Sequence, residues 1–210
     1  MDAEFLVAHL GPIGVFLFVF ASHLIPFLPL PGYLATVLYA AYAHDLLHQA
    51  LAVLATAAGA TLGKVAVFLY GYGIGKAVMG EELAYAKRFF QKVSKWGVDL
   101  AVFLFAISPL ADDVLYIPLG AAGYSIRRFI VPLFLGKLLL STFIVIFADA
   151  TLATLGESLG GGWTAMAVLA AVTLAATILV LRIKWSKVLE AYEKEGVKGA
   201  ARAVINSLKG

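Results

Sequence analysis

The chain has 210 residues, 62% of them hydrophobic and 14% charged, with a formal net charge of +3. Ordinary soluble domains are about 45–50% apolar, and a soluble domain of this length cannot hide so much apolar surface, which leaves an all-α polytopic membrane protein. The absence of cysteine excludes thiol chemistry and disulfides.

The first apolar run, 5–21, follows Asp2 and Glu4. A secretory signal needs a basic leader and a small-residue cleavage site, so this run is expected to stay in the membrane. The next run, 24–43, holds Pro26, Pro29 and Pro31. Proline removes a backbone donor and stops helix propagation, so Pro29, Pro31 and Gly32 are expected to break the segment. Residues 22–45 then form a re-entrant hairpin or a full crossing, and both stay open. Irregular backbone at membrane depth survives only where protein buries it or where it lines a wet cavity. His44 and His48 flank Asp45 at the following polar turn. These two and His23, just before the proline-rich stretch, read as interfacial polar residues, with no metal site expected.

The run 50–75 carries Gly59 and Gly63 in a GxxxG pattern, which lets helices approach closely, and then Lys64. Its Gly71, Gly73 and Gly75 lack a preceding strand, so helix packing is expected there, not a nucleotide site. Residues 81–96 alternate apolar and basic groups and read as an interfacial amphipathic helix. The run 97–125 contains Pro109, Asp112 and Asp113, and 129–155 contains Gly136 and Lys137. A last apolar run, 163–181, precedes a basic tail, 184–208, whose apolar residues recur near helical spacing. The expected division is a membrane domain, 1–183, and a cytoplasmic amphipathic tail, 184–210. These charges flank membrane segments, so they are read as meeting anionic lipid, with no nucleic-acid partner.

Basic residues gather between Lys76 and Lys95, at Arg127–Arg128, and in the tail. The positive-inside rule places all three clusters, and the C-terminus, in the cytoplasm. The run 97–125 then begins and ends on one side, so it is expected to enter the membrane and turn back at Pro109 or at the aspartate pair. PLPGYLATVLYAAYA (29–43) echoes PLADDVLYIPLGAAGYS (109–125), and each precedes a helix with Leu-Gly-Lys. Two hairpins of opposite entry form an inverted repeat, the plan of many secondary transporters.

A carboxylate at a membrane-helix centre costs about 2.5–3.5 kcal/mol. Asp112 and Asp113 therefore need cations, and Lys64 and Lys137 are the ones inside apolar helices. At least one aspartate is expected to pair with Lys64 or Lys137 where the hairpins meet, with Gly63 and Gly136 letting those helices pack closely. Such a group is either a structural ion pair or part of a transport path. Exchanging Lys64 with Asp112 is expected to restore part of what either single change loses.

PLPG, GATLGK with YGYGIGK, the basic linker and GAAGYSIRRF with its GK resemble the DedA/VTT (SNARE-associated Golgi protein-like) membrane proteins over about 10–155. The resemblance implies two re-entrant hairpins and a role in moving lipid or lipid-linked substrates between leaflets, with coupling to protons or sodium in some members. Three sites depart from the family pattern. Its Pro-Gly-Glu reads Pro31-Gly32-Tyr33, its Gly-Asp reads Gly63-Lys64, and its arginine-bearing second hairpin carries Asp112 and Asp113. The signs are exchanged, which an ion pair survives more readily than a phosphate site does. The expected function is a lipid flippase or scramblase. The alternatives are a secondary transporter of a small cation or drug, and a structural scaffold. No nucleophile–base motif marks an enzyme and no cofactor is called for. Expected partners are membrane lipids, protons or sodium ions, and a second copy of the chain.

Overall fold

A computed structural model describes residues 3–26, 32–42, 45–108, 112–148 and 184–209. Pro29, Pro31 and Pro109, the run 163–181 and His44 lie outside these. Every regular element among the described residues is a helix.

Helix α1, Ala3–Leu24, is two helices merged across Gly11, which has φ 55° and ψ −136°. Pro12 follows, and its ring excludes the residue before it from helical backbone. Gly11 adopts a conformation that a side chain would resist. The apolar helix proper is Gly11–Leu24. The chain turns at Ile25–Pro26 and resumes as α2, Gly32–Tyr42. Next comes α3, Leu46–Met79. Asp45 caps it, accepting from the His48 backbone N–H through Oδ1 at 3.0 Å, which satisfies an orphan donor of the first turn. Asp45 Oδ2 also meets His48 Nδ1 at 2.5 Å, so these two polar residues pair with each other at the helix end.

The basic linker forms α4, Glu82–Lys92. Val93 is extended, and Ser94 caps α5, Lys95–Ile107, accepting from Gly97 N–H at 3.1 Å. The run 97–125 is indeed interrupted: α5 ends at Ile107 and α6, Asp113–Ala121, begins after Asp112. A tight turn with Gly123 at φ 76° leads to α7, Ile126–Ile146. The tail forms α8, Trp185–Lys209, divided at Gly196 with φ 65°.

Helix α3 is central and touches α1, α2, α4, α6 and α7. One core gathers Val15, Val19, Ala35 and Ala60 from α1, α2 and α3. A second lies among α3, α5, α6 and α7, where Phe68 stacks on Phe129 at 4.3 Å and Tyr116 meets Phe129 edge-on at 5.0 Å.

The opposite faces explain the composition. Along α7, Val131, Leu135, Leu139, Phe143 and Ile146 are exposed, while Leu133, Gly136, Lys137, Leu140 and Ser141 are buried. The helix is thus apolar outward and carries its polar groups inward, the reverse of a helix in water. Leu54, Leu62 and Leu69 extend a similar stripe along α3. Residues 46–71 and 126–146 are each long and apolar enough to cross a membrane. Ser141 and Thr142 return their hydroxyls to the carbonyls of Lys137 and Leu138 at 2.7 and 2.8 Å, so neither needs water.

The tail is docked as well as amphipathic. Glu82 of α4 accepts from Ser186 N–H at 2.8 Å and from its hydroxyl at 3.1 Å. Lys92 pairs with Glu193, and Phe89 meets Tyr192 edge-on. The two amphipathic helices thus cover part of each other's apolar surface.

Candidate functional site: a buried four-charge cluster

Close helix approaches set the site's position. A Cβ on Gly63 would stand 2.5 Å from His23 Cβ and 3.0 Å from Phe20 O, so α3 lies against the last turns of α1. Gly59, one turn earlier, would meet Phe16 O at 2.6 Å. On the other side, a Cβ on Gly136 would stand 2.5 Å from Ala106 Cβ and 2.8 Å from Phe103 O, so α7 lies against the last turns of α5. Each Leu-Gly-Lys helix therefore presses its glycine on the first helix of a pair, α3 on α1 and α7 on α5. Gly32 opens α2 with its Cα face on Ser22 and His23, closing the two arms of the first helix pair upon each other.

The residue after each packing glycine is a lysine, and both lysines reach the start of α6. Lys64 Nζ lies 2.5 Å from Asp113 Oδ1 and 3.1 Å from Asp112 Oδ1. Lys137 Nζ lies 2.6 Å from Asp112 Oδ2. Asp112 thus bridges both ammoniums, one with each oxygen. All four side chains are buried, Asp112 being 2% and Lys137 3% exposed. Two acids and two bases balance, which is the condition for holding charge at this depth.

Polar groups surround the cluster. His23 is not interfacial but buried beside it, because α3 packs on it at Gly63, with Nδ1 2.8 Å from Val19 O and the Ser22 hydroxyl 3.0 Å away. Its ring meets Tyr33 edge-on at 5.2 Å. The Tyr33 hydroxyl neighbours Lys137, and the Tyr116 hydroxyl neighbours Asp112. Both hydroxyls are buried beside these charges without a well-formed hydrogen bond among the described residues. Between α2 and α3, Thr36 and Thr56 share a buried hydrogen bond at 2.8 Å, while the buried Thr61 hydroxyl of α3 has no partner among the described residues. Four titratable groups, a histidine and unsatisfied hydroxyls in one apolar interior form a polar core that packing alone does not require.

The charged residues singled out in the sequence, Asp112, Asp113, Lys64 and Lys137, come together at one point. Gly59, Gly63 and Gly136 serve close helix contact. Three features were not singled out. Tyr116 looks like an ordinary aromatic core residue until its neighbours are known, and Tyr33 was marked only as a departure from the family's Pro-Gly-Glu, not as a neighbour of Lys137. Gly120 interlocks with Gly71: a Cβ on Gly120 would stand 1.9 Å from Phe68 O. Asp99 binds Arg128 at 2.5 Å and accepts from the Tyr124 hydroxyl. Burial and that donation push Tyr124 up to about 12, so it stays a donor. A lone acid one turn into an apolar run, beside a basic loop, was the available signal for this last group. Among the described residues no group of three or more metal-ligating side chains converges.

A family model described as the VTT domain matches residues 25–150, a span that holds α2 to α7. No curated protein and no solved structure gives a significant match.

Proposed function

Because the chain belongs to the VTT-domain family, the DedA/SNARE-associated Golgi protein family of membrane proteins, we propose that it moves lipid or lipid-linked substrates between leaflets. The observation that carries this reading is the buried cluster of Lys64, Asp112, Asp113 and Lys137. In this reading α1–α2 and α5–α6 are re-entrant hairpins entering from opposite sides, and the two Leu-Gly-Lys helices complete an inverted repeat. The matched glycine contacts of α3 on α1 and of α7 on α5 support it. The C-terminus and α4 lie on the cytoplasmic side, as the basic residues require.

The cluster suits partner exchange. Lys137 has one carboxylate, Asp112, and Asp112 has a second ammonium, Lys64. Lys137 can turn to a headgroup phosphate while Asp112 keeps its contact with Lys64, so this carboxylate is not left without any ammonium. The unsatisfied Tyr33 and Tyr116 hydroxyls offer further donors to a passing headgroup. Headgroup transfer across hydrocarbon is slow because the polar group loses its water, and a polar lining lowers that barrier without covalent chemistry. Protons or sodium ions would act by shifting which partners the carboxylates hold.

A small-cation transporter would need a carboxylate available to its substrate. Here both carboxylates already face ammoniums, which favours the lipid reading over that alternative. Leaflet exchange of labelled lipids in proteoliposomes tests it, with zwitterionic and anionic headgroups compared. Exchange well above that of protein-free liposomes is expected. Proton-driven uptake of small organic cations without lipid exchange would replace this reading with the alternative.

A further inference from the structure

A second polar site lies away from the charge cluster, where α4, the start of α5, the 122–125 turn and the first turn of α7 meet. A cavity of about 390 Å³ opens there, lined among others by Lys87, Lys95, Arg128, Ser125, Phe90 and Tyr124. Three lining groups are cations, and none is a carboxylate. Lys87 is half-buried, and neither it nor Lys95 makes an ion pair among the described residues. Lys95 is exposed, and three cations around a cavity with no carboxylate among its described lining residues form a positive patch that an anion would neutralise.

Arg128 is already positioned. One terminal N–H₂ is held by Asp99 at 2.5 Å, and the guanidinium lies 5.7 Å from the centre of the Trp96 ring. Its Nε is buried and has no acceptor among the described residues, and the guanidinium, held by the single carboxylate of Asp99, keeps N–H donors to spare. Ser125 is the N-cap of the 21-residue α7, yet its side chain makes no capping bond. The hydroxyl and the positive end of the helix dipole stand at the cavity wall. Tyr124, tied to Asp99 and to Lys95 O, fixes the turn that carries them. Phe90 and Val93 give the cavity an apolar side.

We propose that this cavity binds a phosphate group at the membrane–water boundary, held by Lys87, Lys95, the Arg128 guanidinium and the start of α7. The group comes from an anionic lipid headgroup or from a free phosphate. The site does not depend on the transport reading, because it shares no residue with the buried cluster.

The test uses the full chain in nanodiscs. Calorimetry with inorganic phosphate into phosphatidylcholine discs forms one arm. Retention of phosphatidic acid in discs doped with that lipid, read by native mass spectrometry, forms the other. The variant K87Q with K95Q is compared with K184Q with K198Q, which removes the same charge from the tail. Loss of binding by tenfold or more in the first variant, with the second like wild type, supports the site. The arm that shows it identifies the source. No binding in either arm, or an equal loss in both variants, overturns it.

Discussion

Asp112 is the side chain on which the cluster turns, because each of its oxygens faces a different ammonium. Removing one member of a buried charge pair leaves the other uncompensated and costs about 3–5 kcal/mol. Lys137→Met is therefore expected to lower stability by about that amount, read from thermal unfolding in detergent. Adding Asp112→Leu removes the stranded carboxylate and leaves Lys64 with Asp113. The double variant is expected to regain most of the lost stability, since buried pairs are often replaceable by apolar groups. A double variant as unstable as the sum of its parts would show that the two side chains do not act together. Charge exchange gives a second check. The sequence pointed to exchanging Lys64 with Asp112, but the geometry favours Asp113. Lys64→Asp with Asp113→Lys creates one like-charge contact, with Asp112. Lys64→Asp with Asp112→Lys creates two, with Lys137 and with Asp113. Expressed, folded protein should be recovered better in the first exchange than in the second. The reverse order would mean that the contacts differ from those described.

At the scale of elements, the decisive contact is α3 on α6, because it aims the aspartates at Lys64. Gly71 and Gly120 make it, with backbone against backbone. Gly120→Ala would drive a methyl to within 1.9 Å of Phe68 O, and overpacking of this kind costs about 1–3 kcal/mol. Gly73→Ala, with nothing within 4 Å, is expected to stay within about 0.5 kcal/mol of wild type. Equal melting temperatures for the two variants would contradict the packing described. This contact also shows the limit of sequence reading. The break between α5 and α6 was legible because Pro109 and two acids interrupt an apolar run. The pairing of those acids with Lys64 and Lys137 was legible because buried charges within hydrocarbon-length runs have only each other. The Gly71–Gly120 contact was not, since a glycine announces close approach without naming what approaches. The tail's amphipathic pattern likewise showed a two-faced helix, yet not that α4 would cover part of it.

For the whole molecule, the outward apolar stripes of α3 and α7 and the inward charges describe a body built for lipid. The basic residues predict its orientation, with Arg127 on the cytoplasmic side. Arg127 is exposed at the start of α7, and the chain has no cysteine, so Arg127→Cys gives a single labelling site. It is expected to resist an impermeant maleimide in intact cells and to react once the membrane is opened. Efficient labelling from outside would reverse the topology and remove the hairpin reading of 97–125. The central claim is that the buried charges serve passage of a headgroup, beyond holding helices together. The Lys137→Met, Asp112→Leu double variant separates these roles, because it keeps the net charge and is expected to keep the fold. Leaflet exchange in proteoliposomes is therefore the direct measurement, with wild type and the double variant at equal, verified incorporation. Wild type should exchange labelled lipid rapidly while the folded double variant falls to the rate of protein-free liposomes. Exchange by the double variant at the wild-type rate would contradict the account.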